Sequence, residues 1–314
     1  FKVWGTAEDV SLSAVQAYLD VLRNRELLAL ARRNLSSHQR TYSMVRRLSE
    51  QGVGREADTE QTLGRLDLAR ANLVTAGNNF QDAEVTFLRI TGMRAKHLAP
   101  PPDVPRAWLP TSKEDAILRA LRKHPILQSA NVDILEARGQ YRASKSRFYP
   151  RIDFVIRADE ARNAGGVRGP NRVIFAGLEL QYNILQGGRD LARTRQTAYQ
   201  VEEACEIRNR TFREVVETME LSWIAYRNAS QRLPLLRARR NAASLTANAY
   251  HKQFDLGKRT ILDVLDSQNE YYTSQIDIVN ERYALLLAKY RMLNGMGKLI
   301  KFFHIPLPYE AYVP

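Results

Sequence analysis

Residues 254–272 read FDLGKRTILDVLDSQNEYY, and this stretch decides how the rest of the chain is organised. A single glycine, Gly257, separates two long helical patterns, and two aspartates, Asp263 and Asp266, follow it about one helical turn apart. Side chains three residues apart lie on one face of a helix. The stretch therefore predicts a tight turn between two long helices, with both acids on one face of the returning helix.

Two explanations of the regularly spaced acids stay open. Thr260-x-x-Asp263 is a helix-capping pattern, and the helix dipole favours an acid in the first turn. The run Asp58-Thr59-Glu60-Gln61 has the same character. Capping explains Asp263 and Asp58 but accounts less well for Asp266. The second explanation is a ring of charge at the mouth of a pore, and one residue can serve both roles.

Composition indicates a folded, basic chain of 314 residues with 47 Lys and Arg, 34 Asp and Glu, and a net charge of +13. Mean hydropathy is −0.40, and no window holds eighteen consecutive apolar residues, so no transmembrane helix is predicted. Short alternating strands of a membrane barrel would leave hydropathy almost unchanged. The charge suggests an anionic partner or an anionic membrane surface.

Several function classes find no support in the sequence. The basic residues are spread along helices, without aromatic stacking platforms or zinc-finger spacing, which argues against a nucleic-acid partner. Cys205 is the only cysteine, and the five histidines are scattered, so no metal site is predicted. No nucleophile–base set and no phosphate loop appears, so we expect neither an enzyme nor a cofactor.

An internal repeat is the strongest organisational signal. An offset of 205 residues relates three pairs of positions: Gly52 with Gly257, Asp58 with Asp263, and Gly92 with Gly297. Each copy is predicted to be a long helix, a glycine turn and a returning helix, over 9–50 and 58–91 in the first copy. Pro234 is expected to kink or interrupt the long helix of the second copy.

The sequence predicts a mainly α protein with one β-hairpin and four successive regions. These are an incomplete first repeat at 1–96, a proline-rich connector at 97–111, a second repeat at 112–300 and a C-terminal tail at 301–314. Within the second repeat we predict a helix at 125–148, strands at 151–158 and 172–184, a long helix at 189–255 and a returning helix at 260–294.

Both predicted strands show alternation between apolar and polar residues. Ile152, Phe154 and Ile156 share one face of the first, and Leu178 and Leu180 share one face of the second. Transmembrane β-strands of about 9–11 residues show this pattern. The alternative is a solvent-facing hairpin in an α+β protein, although an isolated two-stranded hairpin is marginally stable.

This arrangement resembles the TolC family of outer-membrane efflux and export channels. The residues that carry the resemblance are RFYPRIDF before the first strand, YNILQGGRDLARTRQ after the second, FDLGKRTILDVLDSQNEYY at the turn and YALLLAKYRMLNGMG in the final helix. The run NAGGVRGPNR is similar to the branch that serves type I secretion of toxins and adhesins. The resemblance covers about residues 10–300.

The resemblance implies a homotrimer whose paired helices form an α-barrel tunnel through the periplasm and whose strands join an outer-membrane β-barrel. It implies a passive conduit in a Gram-negative outer membrane. Its partners would be a periplasmic adaptor, an inner-membrane ABC or other transporter, outer-membrane lipid and an exported protein or small molecule. A full family member gives four strands per protomer, so we expect this chain, with two, to lack the N-terminal part of the first repeat.

The resemblance also assigns roles to the turn residues. Gly52 and Gly257 mark the periplasmic tip, and Asp263 and Asp266 match the paired acids that constrict the pore. Arg259 takes the place of the family's gate arginine and Asp58 that of its acidic partner. Two positions depart from the pattern. Phe254 stands where a tyrosine hydroxyl would bond the acid, and Ala57 where a threonine would help receive the arginine. The gate should therefore either depend more on Arg259 and Asp58 or be looser. The neighbouring charged residues Arg55, Glu56 and Lys258 could substitute.

A basic run precedes the first strand: Arg138, Arg142, Lys145, Arg147 and Arg151. These residues indicate either a solvated helix face or contact with anionic lipid headgroups. Two rival functions stay open beside the channel. One is a soluble coiled-coil scaffold or interaction protein, and the other is a helical nucleic-acid-binding protein.

Overall fold

A computed structural model describes residues 1–163, 165–166 and 168–306 of the chain. The residues divide into two compact units, one formed by 1–125 with 214–314 and the other by 126–213. Seven α-helices and two strands occur in the described ranges: α1 (Lys2–Glu50), α2 (Glu56–Thr91), α3 (Lys113–Lys123), α4 (Pro125–Lys145), β1 (Arg151–Arg162), β2 (Pro170–Gln181), α5 (Arg189–Asp255), α6 (Ile261–Gly295) and α7 (Leu299–Phe302). The predicted fold class, mainly helical with one hairpin, is confirmed.

In the first unit, α1 packs against α2 on one side and α6 on the other. The chain direction of α6 is antiparallel to that of α1, as contacts near both ends of α1 show. Gln268 Nε2 donates to Thr41 Oγ1 at 3.2 Å near one end of α1, and the backbone N–H of Leu299 donates to Glu8 Oε2 at 3.1 Å near the other. The α-helical pattern of the sequence thus produces a layer of long antiparallel helices.

The core of this unit lies toward the end of the layer where α1 begins. Apolar side chains from α1, α3, α5, α6, α7 and the connector meet there, among them Leu22, Val104, Ala116, Met219 and Leu293. Burial of such side chains is the main source of stability for helices of this length. The helices extend from this core toward the two glycine turns.

The proline-rich connector is fixed to the unit rather than left free. Tyr18 and Tyr290 donate their hydroxyl hydrogen bonds to the carbonyls of Ala99 and Pro102, and Lys289 Nζ lies 2.6 Å from Asp103 Oδ1. Residues 99–105 are in neither helix nor strand, so their carbonyls can accept hydrogen bonds from the flanking helices. The connector therefore packs as part of the core.

In the second unit, β1 and β2 form an antiparallel hairpin in the register Arg151–Gln181 to Arg162–Pro170. Compared with the predicted strands at 151–158 and 172–184, β1 is four residues longer and β2 begins and ends earlier. Asn163 closes the ladder by donating its N–H to the carbonyl of Gly169 at 3.0 Å. At the other end Pro150 offers no N–H, so the ladder stops at Gln181.

The apolar face of this hairpin is exposed in the chain. Ile152 pairs with Leu180 and Phe154 with Leu178, and all four side chains are more than 60% exposed. A large exposed apolar surface on a soluble protein marks an interaction or membrane surface. Alternation in the sequence has therefore produced a strand face that needs an apolar environment.

Three other expectations can be compared with the structure. The interruption expected at Pro234 does not occur, because α5 continues through this exposed residue as one helix. The predicted helix 125–148 is α4 to Lys145, followed by a short 3₁₀ turn over Ser146–Phe148. Residues 307–314 of the predicted tail lie outside the described residues. Within the described ranges, no helix is both long enough and apolar enough to cross a membrane.

Candidate functional site: the two helical turns

The turn that ends α1 has a glycine in the left-handed conformation. Gly52 has φ +77°, and its N–H donates to the carbonyl of Ser49 at 2.9 Å. The next N–H, that of Val53, donates to the carbonyl of Leu48 at 3.0 Å. This pair of bonds is the Schellman motif, which satisfies the last carbonyls of a helix and reverses the chain.

The turn that ends α5 has the same geometry. Gly257 has φ +72°, its N–H donates to Phe254 O at 2.8 Å, and the N–H of Lys258 donates to Gln253 O at 2.8 Å. Two glycines separated by 205 residues thus end two helices with the same hydrogen bonds. The glycine spacing that repeats in the sequence thus corresponds to one turn geometry that occurs twice in the structure.

Asp263 forms a capping box at the start of α6. Its backbone N–H donates to Thr260 Oγ1 at 3.3 Å, and its carboxylate accepts from Thr260 N at 3.3 Å and from Thr260 Oγ1 at 2.9 Å. Its side chain is 37% exposed. The capping explanation of Asp263 is confirmed, and the carboxylate still reaches solvent.

Asp58 does not cap α2. The N-cap is Arg55, which makes no side-chain capping bond, and Asp58 lies in the first turn of the helix together with Glu56. Its backbone carbonyl accepts from Thr62 Oγ1 at 3.0 Å. None of the described residues forms a hydrogen bond or an ion pair with its carboxylate. Asp58 is therefore left free to pair with a group from elsewhere.

Arg259 is bound within its own turn. Its Nε donates to Gln253 Oε1 at 3.0 Å, its Nη1 lies 3.9 Å from Asp263 Oδ2, and its guanidinium stacks 4.3 Å from the centre of the Tyr250 ring. The structure does not bring Arg259 and Asp58 together within one chain.

Phe254 belongs to a small apolar cluster that fixes the second turn on α1. The buried members are Val45 of α1 and Ile261, Val264 and Leu265 of α6, and Phe254 packs against them with Tyr250 and Met44. The phenyl ring thus contributes packing where a tyrosine would also offer a hydroxyl. Because the cluster joins the end of α1 to the start of α6, both turns lie at the same end of the unit.

Asp266 has a partner that sequence reasoning missed. Its Oδ1 accepts from Arg65 Nη2 at 3.0 Å, and 59% of the Asp266 side chain stays exposed. The Arg65 guanidinium also acts on the buried His38 of α1: burial first, and then this positive charge, lower the pKa of the His38 imidazole. Arg65 is 201 residues from Asp266 in the chain, so no local spacing could have revealed the pair.

Two exposed carboxylates on one helix face can attract cations by electrostatics. They lie beside the capping box and the Arg65 ion pair. Among the described residues, no group of three or more His, Cys, Asp or Glu side chains could hold a metal ion. The arrangement is thus suited to an electrostatic role at a surface or pore.

Comparison with known proteins places this geometry in a family. The model of the family described as outer membrane efflux protein matches residues 9–93 and 116–298. The chain is 26% identical over 287 residues to the outer membrane efflux protein BepC of Brucella suis, covering 91% of this chain and 62% of BepC. It is 25% identical over 313 residues to TolC of Escherichia coli, covering 92% of this chain and 61% of TolC.

A secretion protein and a solved channel extend these likenesses. The alkaline protease secretion protein AprF of Pseudomonas aeruginosa is 23% identical over 300 residues, covering 93% of this chain and 62% of AprF. The structure of the outer-membrane channel OprN superposes with a TM-score of 0.83 at 18% identity, covering 94% of this chain and 67% of that one. At this identity the structural likeness shows the fold alone.

The chain spans about three fifths of the length of the curated relatives that it matches. The family model nevertheless covers most of the chain, including both glycine turns, the hairpin and the helices α1, α2, α5 and α6. The chain belongs to the outer membrane efflux protein family.

Proposed function

We propose that this chain is part of an outer-membrane export channel, which works as a passive conduit for a substrate driven by an inner-membrane transporter and its periplasmic adaptor. The observation that carries the proposal is the joint presence of the family match and the exposed apolar hairpin face. The family and fold are those of a channel rather than an enzyme. The family match also argues against the soluble coiled-coil scaffold.

The hairpin supports the membrane part of the proposal. Its exposed apolar face would lie against lipid, and its polar face, with Asp153 and Glu179 in register, would line the pore. The basic run before β1 supports contact with anionic headgroups, because Arg138 and Arg142 are exposed. Basic side chains near such a surface gain about 1 kcal/mol each.

The identity of the exported substrate is proposed from the relatives. AprF is named for alkaline protease secretion, and OpmQ of Pseudomonas aeruginosa, at 21% identity, for pyoverdine export. The likeness to AprF supports the type I protein secretion branch for this chain. Export of a small molecule is the alternative that the likeness to OpmQ supports.

We propose that Asp263 and Asp266 form the constriction at the closed tip of a trimer. Threefold symmetry would repeat the pair into two rings of three carboxylates, which attract cations and narrow the pore. Arg65 would modulate this field, since it lies 3.0 Å from Asp266. Gly52 and Gly257 would mark the tip, because both turns lie at one end of the unit.

The gate is proposed to be a contact between chains. The Asp58 carboxylate has no partner among the described residues of its own chain, whereas Arg259 lies 38% exposed beside Asp263. An exposed ion pair contributes about 0–1 kcal/mol, so a docking adaptor could open the tip with little energy. Phe254 contributes packing and no hydroxyl, which leaves the charged pair as the main restraint.

Conductance in planar lipid bilayers tests this proposal in the oligomer that contains the chain. Arg259→Glu should raise single-channel conductance, because the gate pair becomes repulsive. Lys258→Glu is the matched control, since it makes the same charge change at the neighbouring exposed residue. Asp263→Asn with Asp266→Asn should reduce cation selectivity, which is read from the reversal potential. Equal conductances for the two charge reversals would contradict the gate, and a failure to insert would contradict the channel itself.

A further inference from the structure

A cavity of about 460 Å³ lies between α1, α5 and α6, away from the two turns. Four arginines line it: Arg33 from α1, Arg237 and Arg240 from α5, and Arg282 from α6. Its floor is apolar, formed in part by the buried side chains of Leu30 and Val279. Three helices thus direct four guanidinium groups into one space.

The carboxylate that lines this cavity already has partners within the chain. Glu26 is the one carboxylate in the lining, and it forms an ion pair with Arg282 and accepts from the Tyr283 hydroxyl at 2.7 Å. In the described part of the chain, no ion pair joins an acid to Arg33, Arg237 or Arg240. The cavity therefore carries three positive charges without counter-charges.

Two neighbouring arginines of α5, outside the cavity, are paired with acids of α6. Arg232 Nη1 lies 3.2 Å from Glu281 Oε2, and Arg239 Nη1 lies 2.7 Å from Asp277 Oδ2, so α6 supplies an acid to each. Toward the cavity α6 presents Gln275 and Arg282 instead. The same pair of helices neutralises one face of α5 and leaves another face charged.

Arg240 presents a hydrogen-bond donor without an acceptor at this cavity. Its Nε is removed from solvent and donates to no acceptor among the described residues. A buried donor without an acceptor costs free energy, and an incoming oxyanion would recover it. Arg237 and Arg240 are also three residues apart on one helix, where like charges repel. Both costs would be relieved by an anion.

We propose that this arginine cavity binds a small phosphate-bearing anion with two or more negative charges. Guanidinium groups form paired hydrogen bonds with phosphate oxygens, and these charge-assisted bonds are stronger than neutral ones. The volume falls within the range of about 300–1,000 Å³ that is typical of small-molecule sites. Bound there, the anion would link α1 to the α5–α6 pair. The proposal goes beyond the export function, because binding requires no transport.

Titration of the detergent-solubilised chain with sodium pyrophosphate, by calorimetry at constant ionic strength, tests this site. Saturable binding is expected. The double variant Arg237→Gln, Arg240→Gln should weaken it by about 10- to 100-fold, as loss of charge-assisted hydrogen bonds implies. Arg227→Gln is the matched control, because it removes one exposed arginine from the same helix outside the cavity.

Arg33→Gln provides an independent test on another helix. This side chain is exposed, so its replacement should leave folding intact while it weakens pyrophosphate binding. The absence of saturable binding would overturn the proposal, as would an equal loss in Arg227→Gln, which would show a general charge effect. If the parent chain binds no pyrophosphate and the double variant loses its oligomeric mass, the arginines serve a contact between copies, and the proposal fails.

Discussion

The turn between α1 and α2 and the turn between α5 and α6 end their first helices alike but begin their second helices differently. Both have a left-handed glycine with the same two hydrogen bonds. α6 then begins with buried Ile261, Val264 and Leu265, whereas the positions 205 residues earlier in α2 are Glu56, Thr59 and Glu60. The same helix-ending glycine turn is therefore followed by an apolar helix start in α6 and by a polar helix start in α2.

This difference shows how a repeated hairpin can acquire separate roles. The apolar start of α6 packs on α1 and fixes the second turn, together with its capping box. The start of α2 is polar and lacks a side-chain cap, and the Asp58 carboxylate there has no partner among the described residues. The second turn is therefore packed on α1, whereas the first turn begins a helix with polar side chains.

The largest expected effect is on the packing of the second turn. Leu265→Ala should reduce the free energy of unfolding by about 2–5 kcal/mol, because Leu265 is fully buried between α1 and α6. Urea unfolding followed by circular dichroism measures this loss. Leu262→Ala, at an exposed position three residues earlier, should change stability by about 0.5 kcal/mol or less. Equal losses would contradict the packing of α6 on α1.

A buried acid at the opposite end of α1 contrasts with the exposed acids of the turns. Burial raises the pKa of Glu8 to about 7 from its ordinary 4.5, outweighing hydrogen bonds from Trp4, Leu299 and Ile300. The folded chain therefore holds this proton more tightly than the unfolded chain does. The stabilisation that comes from the protonated Glu8 carboxyl is therefore complete below pH 4.5 and is lost as the pH rises through about 7.

Glu8→Gln tests that contrast because glutamine stays neutral. The variant should gain stability over the parent as the pH rises from 4.5 to 8, by about 3 kcal/mol if each pKa unit contributes about 1.4 kcal/mol. Thermal unfolding at several pH values measures the gain. A constant difference between the two proteins at all pH values would show that Glu8 does not titrate in this range.

The glycine conformation has the next largest expected effect. Gly257→Ala should lower stability by about 1–2 kcal/mol, because a side chain is strained at positive φ although nothing lies within 4 Å of the added methyl group. Gly77→Ala, inside α2 with equal open space, should instead raise stability by about 0.5–1 kcal/mol. Effects of the same sign would show that the turn does not require the left-handed residue.

The capping difference between the turns gives the smallest effect. Thr260→Ala should cost about 1 kcal/mol, since it removes the hydroxyl of the capping box. Arg55→Ser should add a cap to α2 and gain up to about 1 kcal/mol, because Arg55 occupies an N-cap without a side-chain bond. Denaturation midpoints of the two variants should shift in opposite directions. A midpoint that falls in both would contradict this comparison.

The parts of the site that the sequence revealed are those that depend on neighbouring residues. Gly257 and Thr260-x-x-Asp263 have local signatures, since a helix stop and a capping box each involve only a few consecutive residues. The alternation of the two strands was likewise visible in the sequence, although the first and last residues of the strands differ between the prediction and the structure. The residue at which a strand ends depends on where its partner strand can still form backbone hydrogen bonds. The sequence of one strand alone does not show this.

Pairings over long sequence distances could not be read in this way. Arg65 with Asp266, and Glu26 with Arg282, are separated by more than 200 residues. The Arg259–Asp58 pair was proposed from resemblance, and within one chain the arginine instead contacts Gln253, Asp263 and Tyr250. The direction of a long flexible side chain depends on the helices that surround it.

The sequence by itself determined the long helices, the two glycine turns, the capped acid and the alternating hairpin, because each follows from backbone and hydrogen-bond preferences over a few residues. Only the tertiary structure decided that Asp266 is paired and that the Asp58 carboxylate has no partner within the described ranges. It also decided that three arginines of α1 and α5 line one cavity without an ion-paired acid among the described residues. Charge balance in folded proteins is set by which helices become neighbours, and that depends on the packing of the whole unit.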